Sequence, residues 1–178
     1  MFTKKKNADL PQIIEAIRYG DEHAYNVLIS RTYNNVLTYC NVFGSKFDAH
    51  DLAQETYLRA IKSKFINKEI TSVEGLLISI AKCVCSDYVN EQQKIRKIRD
   101  GLYVEITQNE YVVDEDIQLL LSCLSPEMRE SFVLTQLFGF SYEETSKLCS
   151  VTIGTIKSRV SRSKDLLRNK VQNTYSAS

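Results

Sequence analysis

A chain of 178 residues that is 43% hydrophobic and 25% charged can bury a real core in one or two modest domains. Its formal net charge of +1 argues against a nonspecific polycation, and no apolar run is long enough to span a bilayer, since Leu76 to Val84 is interrupted by Ser79 and Lys82. The cations of MFTKKKNADLPQ lead into neither an apolar segment nor a small-residue cleavage site, so no secretion signal is read there. The five cysteines, Cys40, Cys83, Cys85, Cys123 and Cys149, are odd in number and scattered, which fits reduced, mostly buried thiols in a cytoplasm. Cys83 and Cys85 would lie well apart around a helix, and neither His23 nor His50 is near a cysteine pair, so no metal or other cofactor is expected.

Six glycines and two prolines punctuate the chain, and apolar residues recur at helical spacing, so the expected fold is all-α. A helix opens over Asp9 to Ala16, with Asp9 as N-cap and Pro11 in its first turn. Asp21 to Cys40 continues as one or two helices. Asp48 caps a third, running to about Ser63, whose core face is Ala49, Leu52, Ala53, Thr56, Tyr57 and Ala60. Its opposite face carries Asp48, Asp51, Glu55, Leu58, Arg59 and Lys62. An apolar Leu58 inside that charged rim has the makeup of a docking patch, and equally that of a solvated helix with one stray leucine. Ser72 caps a fourth helix to roughly Gln93, with Val73, Leu76, Leu77, Ile80, Ala81, Val84 and Tyr88 on one face. Its far face shows Ser79, Lys82, Ser86 and Gln93. The preceding loop offers Lys64, Phe65 and Lys68, groups that could hold an unstacked base and track a backbone.

Periodicity then fails, and Gly101 and Asn109 interrupt the chain. Residues 94–113 therefore read as a linker between a first helical domain at 9–93 and a second at 114–172, although an extra helix or hairpin packed on the first domain also fits. In the second domain Ser125-Pro126-Glu127 is a clear helix start. A helix-turn-helix comes next, over about 141–162. Ser146 sits where its first helix crowds the second, Leu148 plugs the space between them, and Ser150 to Thr152 make the turn. Ile153, Ile156 and Val160 recur at i, i+3, i+7, so they are expected to share one buried face. Ser158 and Arg162 point away from it, with Thr155 and Ser161 beside them and Lys157 and Arg159 on the shoulders. Such a helix is shaped to enter a major groove and touch phosphates at its edges. The bland alternative is a helical hairpin with a solvated outer face.

Charge separation favours the first reading. From Glu105 to Glu130 the charged residues are Glu105, Glu110, Asp114, Glu115, Asp116, Glu127 and Glu130 against Arg129 alone. From Lys147 to Lys170 they are Lys147, Lys157, Arg159, Arg162, Lys164, Arg168 and Lys170 against Asp165 alone. An acidic approach to a basic end points to a polyanionic partner for the last helix.

Taken together these motifs resemble, over nearly the whole chain, the bacterial RNA polymerase sigma factors of the extracytoplasmic-function group in the sigma-70 family. DAHDLAQETYLRAIK is similar to the helix by which region 2 of those factors grips the β′ clamp helices of core RNA polymerase. The resemblance thus implies a polymerase contact through Asp48, Asp51, Leu52, Gln54, Glu55, Leu58 and Arg59. LLISIAKCVCSDYVN is similar to the segment that reads and opens the −10 element, implying DNA contacts by Phe65, Lys68, Lys82 and Ser86. LSPEMRESFVLTQLFGFSYEETSKLCSVTIGTIKSRVSRSKDLL is similar to region 4, implying that Thr155, Lys157, Ser158, Arg159, Ser161 and Arg162 read the −35 element and that the β flap is a further partner. LTQLFGFSY, Cys149 and GTIKSRV resemble most the actinobacterial sigma C branch. The resemblance implies an initiation factor with no chemistry of its own, cytoplasmic, without membrane insertion, and a candidate for restraint by an anti-sigma protein.

The chain also departs from that pattern. Leu76 stands where the family usually has tryptophan, and His50 replaces a frequent acid. Ser146 and Ser150 replace the usual alanine and glycine of the helix-turn-helix, and Ser150 strains the turn if a positive φ is needed there. The alternative from another class is a stand-alone helix-turn-helix regulator that binds a palindrome as a homodimer. It leaves the helix around Asp51 and Glu55 without a role. An enzyme is not expected, since there is no Gly-rich phosphate loop, metal cluster or supported Cys/His pairing.

Overall fold

The computed structural model describes residues 10–45, 47–62, 72–99 and 115–176, all of them helical or in the turns between helices. They divide between residues 112 and 113 into two compact units.

The first unit holds α1 (Leu10–Arg18), α2 (Glu22–Phe43), α3 (Ala49–Lys62) and α4 (Val73–Arg99). Helix α2 begins at Asp21, whose carboxylate accepts from the N–H groups of His23 at 2.9 Å and Ala24 at 3.4 Å, satisfying donors that the first turn would otherwise orphan. It runs unbroken to Phe43. Ser72 does the same for α4, accepting from Gly75 N at 3.1 Å. Helices α2, α3 and α4 pack on one another, and α1 lies along α2. The core between them is filled by Val36, Tyr39, Cys40, Leu77, Ala81, Val84 and Cys85, with Ala53 and Thr56 of α3 fully enclosed. Alanines at these seams let helix axes approach closely. Gly44 shows the tightness: a Cβ there would sit 2.5 Å from Leu52 Cδ1 and 2.7 Å from the Cys40 carbonyl.

Two expectations change here. Helix α4 continues six residues past Gln93, because KIRKIR contains only good helix formers and no glycine or proline stops the helix before Arg99. The cysteines are not mostly buried, since Cys40 and Cys85 are enclosed while Cys83 and Cys123 are exposed. Among the described residues no helix is long and apolar enough to cross a membrane.

The second unit holds α5 (Glu115–Leu121), α6 (Pro126–Phe132), a π-helical turn (Val133–Leu137), α7 (Tyr142–Cys149) and α8 (Ile153–Ser176). Helices α5, α6 and α7 each pack on α8. Ser125 caps α6, accepting from Met128 N at 3.4 Å, with Pro126 in the first turn. Arg129 closes the preceding helix end, its guanidinium donating to the carbonyls of Leu121 at 2.9 Å and Leu124 at 3.3 Å. The π turn directs Val133 and Leu134 fully into the core. Gly139, at φ 77°, then reverses the chain, a conformation that glycine adopts without steric cost.

Candidate nucleic-acid and polymerase interfaces

Local hydrogen bonds hold the helix ends and the turn of the helix-turn-helix. Ser141 and Glu144 form a reciprocal capping box at the start of α7, with Glu144 N donating to Ser141 Oγ at 3.2 Å and Ser141 N to Glu144 Oε2 at 2.8 Å. At its end Ser150 takes the left-handed conformation, φ 54° and ψ 41°, the one non-glycine positive φ among the described residues. Ser150 N then donates to the Lys147 carbonyl and Val151 N to that of Ser146, which closes the helix and sets the angle of the turn. Thr152 starts α8 by accepting from Thr155 N at 3.2 Å.

Helix α8 is two-sided. Ile156, Val160 and Ser163, spaced four and three, are enclosed against α6 and α7. Ser163 fits at the tightest point because it is small and its hydroxyl is satisfied, donating to Arg159 O at 2.7 Å and lying 3.4 Å from Met128 O of α6. Lys157, Ser158, Ser161 and Arg162 are exposed on the other side, and Arg159 is half-buried on the shoulder. Two sequence expectations need amendment. Ile153, the first residue of α8, is 39% exposed and so only partly joins that stripe. Thr155 is half-buried, not fully outward, and its hydroxyl lies 2.9 Å from that of Thr152 at the start of the helix.

In the first unit, Asp51, Gln54, Leu58, Ile61 and Lys62 form the outer ridge of α3. Leu58 is 47% and Ile61 41% exposed. Beside them Arg59 donates to Glu55 Oε1 at 2.8 Å and to Asp87 Oδ2 of α4 at 2.7 Å, and the Asp87 and Glu55 carboxylates push its guanidinium pKa still further up. Leu52 is withdrawn from that surface: it is only 7% exposed and packs against Gly44, so it shapes the ridge from beneath. Asp48 is half-buried, its carboxylate accepting from Ser45 Oγ at 2.9 Å and from the Tyr88 hydroxyl, which ties the start of α3 to α4. His50 is exposed, with Nδ1 2.8 Å from the Tyr33 hydroxyl on α2.

On α4, Ser86 is exposed and Lys82 half-buried one turn away, while Phe65 and Lys68 lie outside the described residues. Leu76 lines an apolar cleft among α1, α2, α3 and α4 together with Ile17, Tyr25, Ile61 and Val73. Sequence reasoning missed Ile61 and Asp87. The first could have been found, three residues from Leu58 on the same ridge; the second could not, being 28 residues from its partner.

Known proteins now place this geometry. The family model described as "Sigma-70, region 4" matches residues 114–167. The chain is 28% identical over 159 residues to the ECF RNA polymerase sigma factor SigC of Mycobacterium tuberculosis, covering 83% of each chain. To the ECF RNA polymerase sigma-E factor of Haemophilus influenzae it is 24% identical over 177 residues, 90% of this chain and 94% of that one. Among solved structures, the sigma factor RpoE in complex with the anti-sigma factor NepR, from Bartonella quintana, superposes with a TM-score of 0.68 and 26% identity, covering 83% of this chain and 96% of that one. Along most of its length the chain is similar to RNA polymerase sigma factors of the extracytoplasmic-function group. Within that group it is similar to sigma C along most of its length.

Proposed function

We propose that this chain is an alternative sigma factor that binds core RNA polymerase, directs it to promoters through −35 and −10 elements, and helps melt the −10 DNA. The observation that carries the reading is the two-sided build of α8, an enclosed Ile156/Val160/Ser163 stripe behind an exposed face of Lys157, Ser158, Ser161 and Arg162, in a chain similar over most of its length to such factors. In this reading the front of α8 meets base edges of the −35 duplex. Arg162 and Ser158 lie on the groove floor, Lys157 within reach of a base or a phosphate, and Arg159 at a phosphate. The ridge of Asp51, Gln54, Glu55 and Leu58, with Arg59 pinned beside it, docks on the β′ clamp helices, and the second unit also meets the β flap. Lys82, Ser86, Phe65 and Lys68 engage the separated −10 strand. The protein acts in the cytoplasm, catalyses no reaction itself, and is a substrate for capture by an anti-sigma factor, as the solved RpoE–NepR complex is for that relative.

Run-off transcription with core polymerase tests this directly. Template-dependent, promoter-specific transcripts should appear only when the protein is added. DNA binding without any polymerase-dependent transcript would return the chain to the class of stand-alone helix-turn-helix regulators.

A further inference from the structure

Glu127 is the acidic residue of the first turn of α6, yet its surroundings join it to the DNA-facing helix. Ser163 of α8 lies at once against Met128 O of α6 and Arg159 O one turn back on α8, so the N-terminus of α6 sits beside Arg159. The Glu127 side chain is held at that end of α6 by the Ser125 hydroxyl, which donates to Oε2 at 2.9 Å. Glu127 is exposed, and Arg159 is half-buried on the shoulder of α8. The Glu127 carboxyl lies below the usual carboxylate range, held there by its own backbone N–H, then by the Ser125 hydroxyl, and also by the Arg159 charge. Among the described residues no carboxylate forms an ion pair within 4.0 Å of Arg159, so the attraction between the two is long enough to be traded for another anion.

We propose that Glu127 restrains the DNA affinity of α8 by competing with backbone phosphate for Arg159. The inference rests on the reading of α8 as the −35 helix. A phosphate approaching the shoulder of α8 must compete with the Glu127 charge for Arg159 and tolerate a carboxylate in the same neighbourhood. The cost falls on every DNA sequence alike, because it acts on the backbone and not on base edges. Its consequence is a free protein that does not linger on nonspecific DNA. Base contacts from Arg162 and Ser158 then have to supply the remaining affinity, so recognition depends more heavily on them. Glu144 in the first turn of α7 cannot play this part in the same way, since it is locked into the capping box of its own helix.

The test is a double-mutant cycle in the full-length chain, with two probes: a short random-sequence duplex, and the duplex that the parent protein selects from such a pool. Glu127→Gln keeps the acceptor for Ser125 and removes only the charge. It should bind both duplexes several-fold more tightly at low salt and steepen the salt dependence by about one unit. In the Arg159→Ala background the same substitution should change nothing. Urea midpoints of all variants establish that each is folded. Unchanged affinity and salt slope in folded Glu127→Gln would overturn the proposal, as would an undiminished gain in the Arg159→Ala background. A parent without preference for its selected duplex refutes the −35 reading itself, while the Glu127 comparison on the random duplex is read separately.

Discussion

The two units use the same architecture, helices packed on helices, to present opposite kinds of surface. On α3 the charges are tied down: Arg59 is held by Glu55 and by Asp87 of α4, and Asp48 is turned inward to Ser45 and Tyr88. Outward beside them stand an apolar pair, Leu58 and Ile61, and the exposed Asp51, Gln54 and Lys62. On α8 the cations Lys157 and Arg162 have no carboxylate within ion-pair reach among the described residues, and small hydroxyl side chains lie between them. On the proposed reading a protein partner would be met by apolar anchors beside a paired Arg59, which limits the desolvation cost of docking. A polyanion, on the same reading, would be met by cations left available to release its counterions. Charge pairing within the fold, more than charge count, distinguishes the two surfaces.

Substituting the anchor of the first surface should have the largest effect. Leu58→Arg is expected to abolish co-purification with core polymerase, a loss of about 2 kcal/mol or more and roughly thirtyfold in affinity, while the protein still unfolds cooperatively and DNA binding through α8 persists. A folded mutant that binds polymerase as the parent does would break the comparison at its first term.

Alkaline titration should separate the units next. Tyr57 lies in the core of the first unit, where burial pushes its hydroxyl up to about 12 against the opposing hydrogen bond to Thr32. A pKa raised in the folded state means that the neutral form is favoured there. The stabilisation is therefore complete below the unfolded value near 10 and is lost as pH rises from about 10 to about 12, a total of roughly 2–3 kcal/mol. Tyr57→Phe should flatten that decline in the first unit and leave the second unit's unfolding unaffected. An identical alkaline profile in mutant and parent would show that Tyr57 does not govern it.

Within the second surface, base readers and phosphate contacts should part. Arg162→Ala is expected to cost about 1–3 kcal/mol on the preferred −35 sequence and to blur preference at one or two positions. Arg159→Ala should weaken all sequences similarly and lower the salt slope by about one unit. Equal sequence preference in Arg162→Ala and the parent would refute the orientation of α8 relative to the groove.

The smallest effect concerns the hinge of the helix-turn-helix. Ser150→Gly removes the steric cost of a left-handed serine, about 1–2 kcal/mol, against an unfolded-state entropy penalty somewhat smaller than that. The second unit should gain about 0.5–1 kcal/mol in urea unfolding, with no change in the first. A stability loss there would mean that Ser150 makes a compensating contact.

Much of this was legible in the sequence, and the reason is range. Caps at Asp21, Ser72, Ser125 and Ser141 act on N–H groups two or three residues away, so the residues that start a helix announce it. The Ile156/Val160 stripe and the core face of α3 follow from helical spacing alone, and the strain at Ser150 from the turn it must make. The structure overruled local pattern where packing decided. Ile153 continues the stripe yet stays 39% exposed, whereas Leu52 keeps the core place that its spacing gives it and lies beneath the outer ridge of α3. The joining of Arg59 to Asp87, of Ser163 to Met128, and of Glu127 to the neighbourhood of Arg159 spans tens of residues. No periodicity carries information across such a distance. Only the folded contacts between helices bring those groups together, and with them the difference between the paired Arg59 of α3 and the open cations of α8.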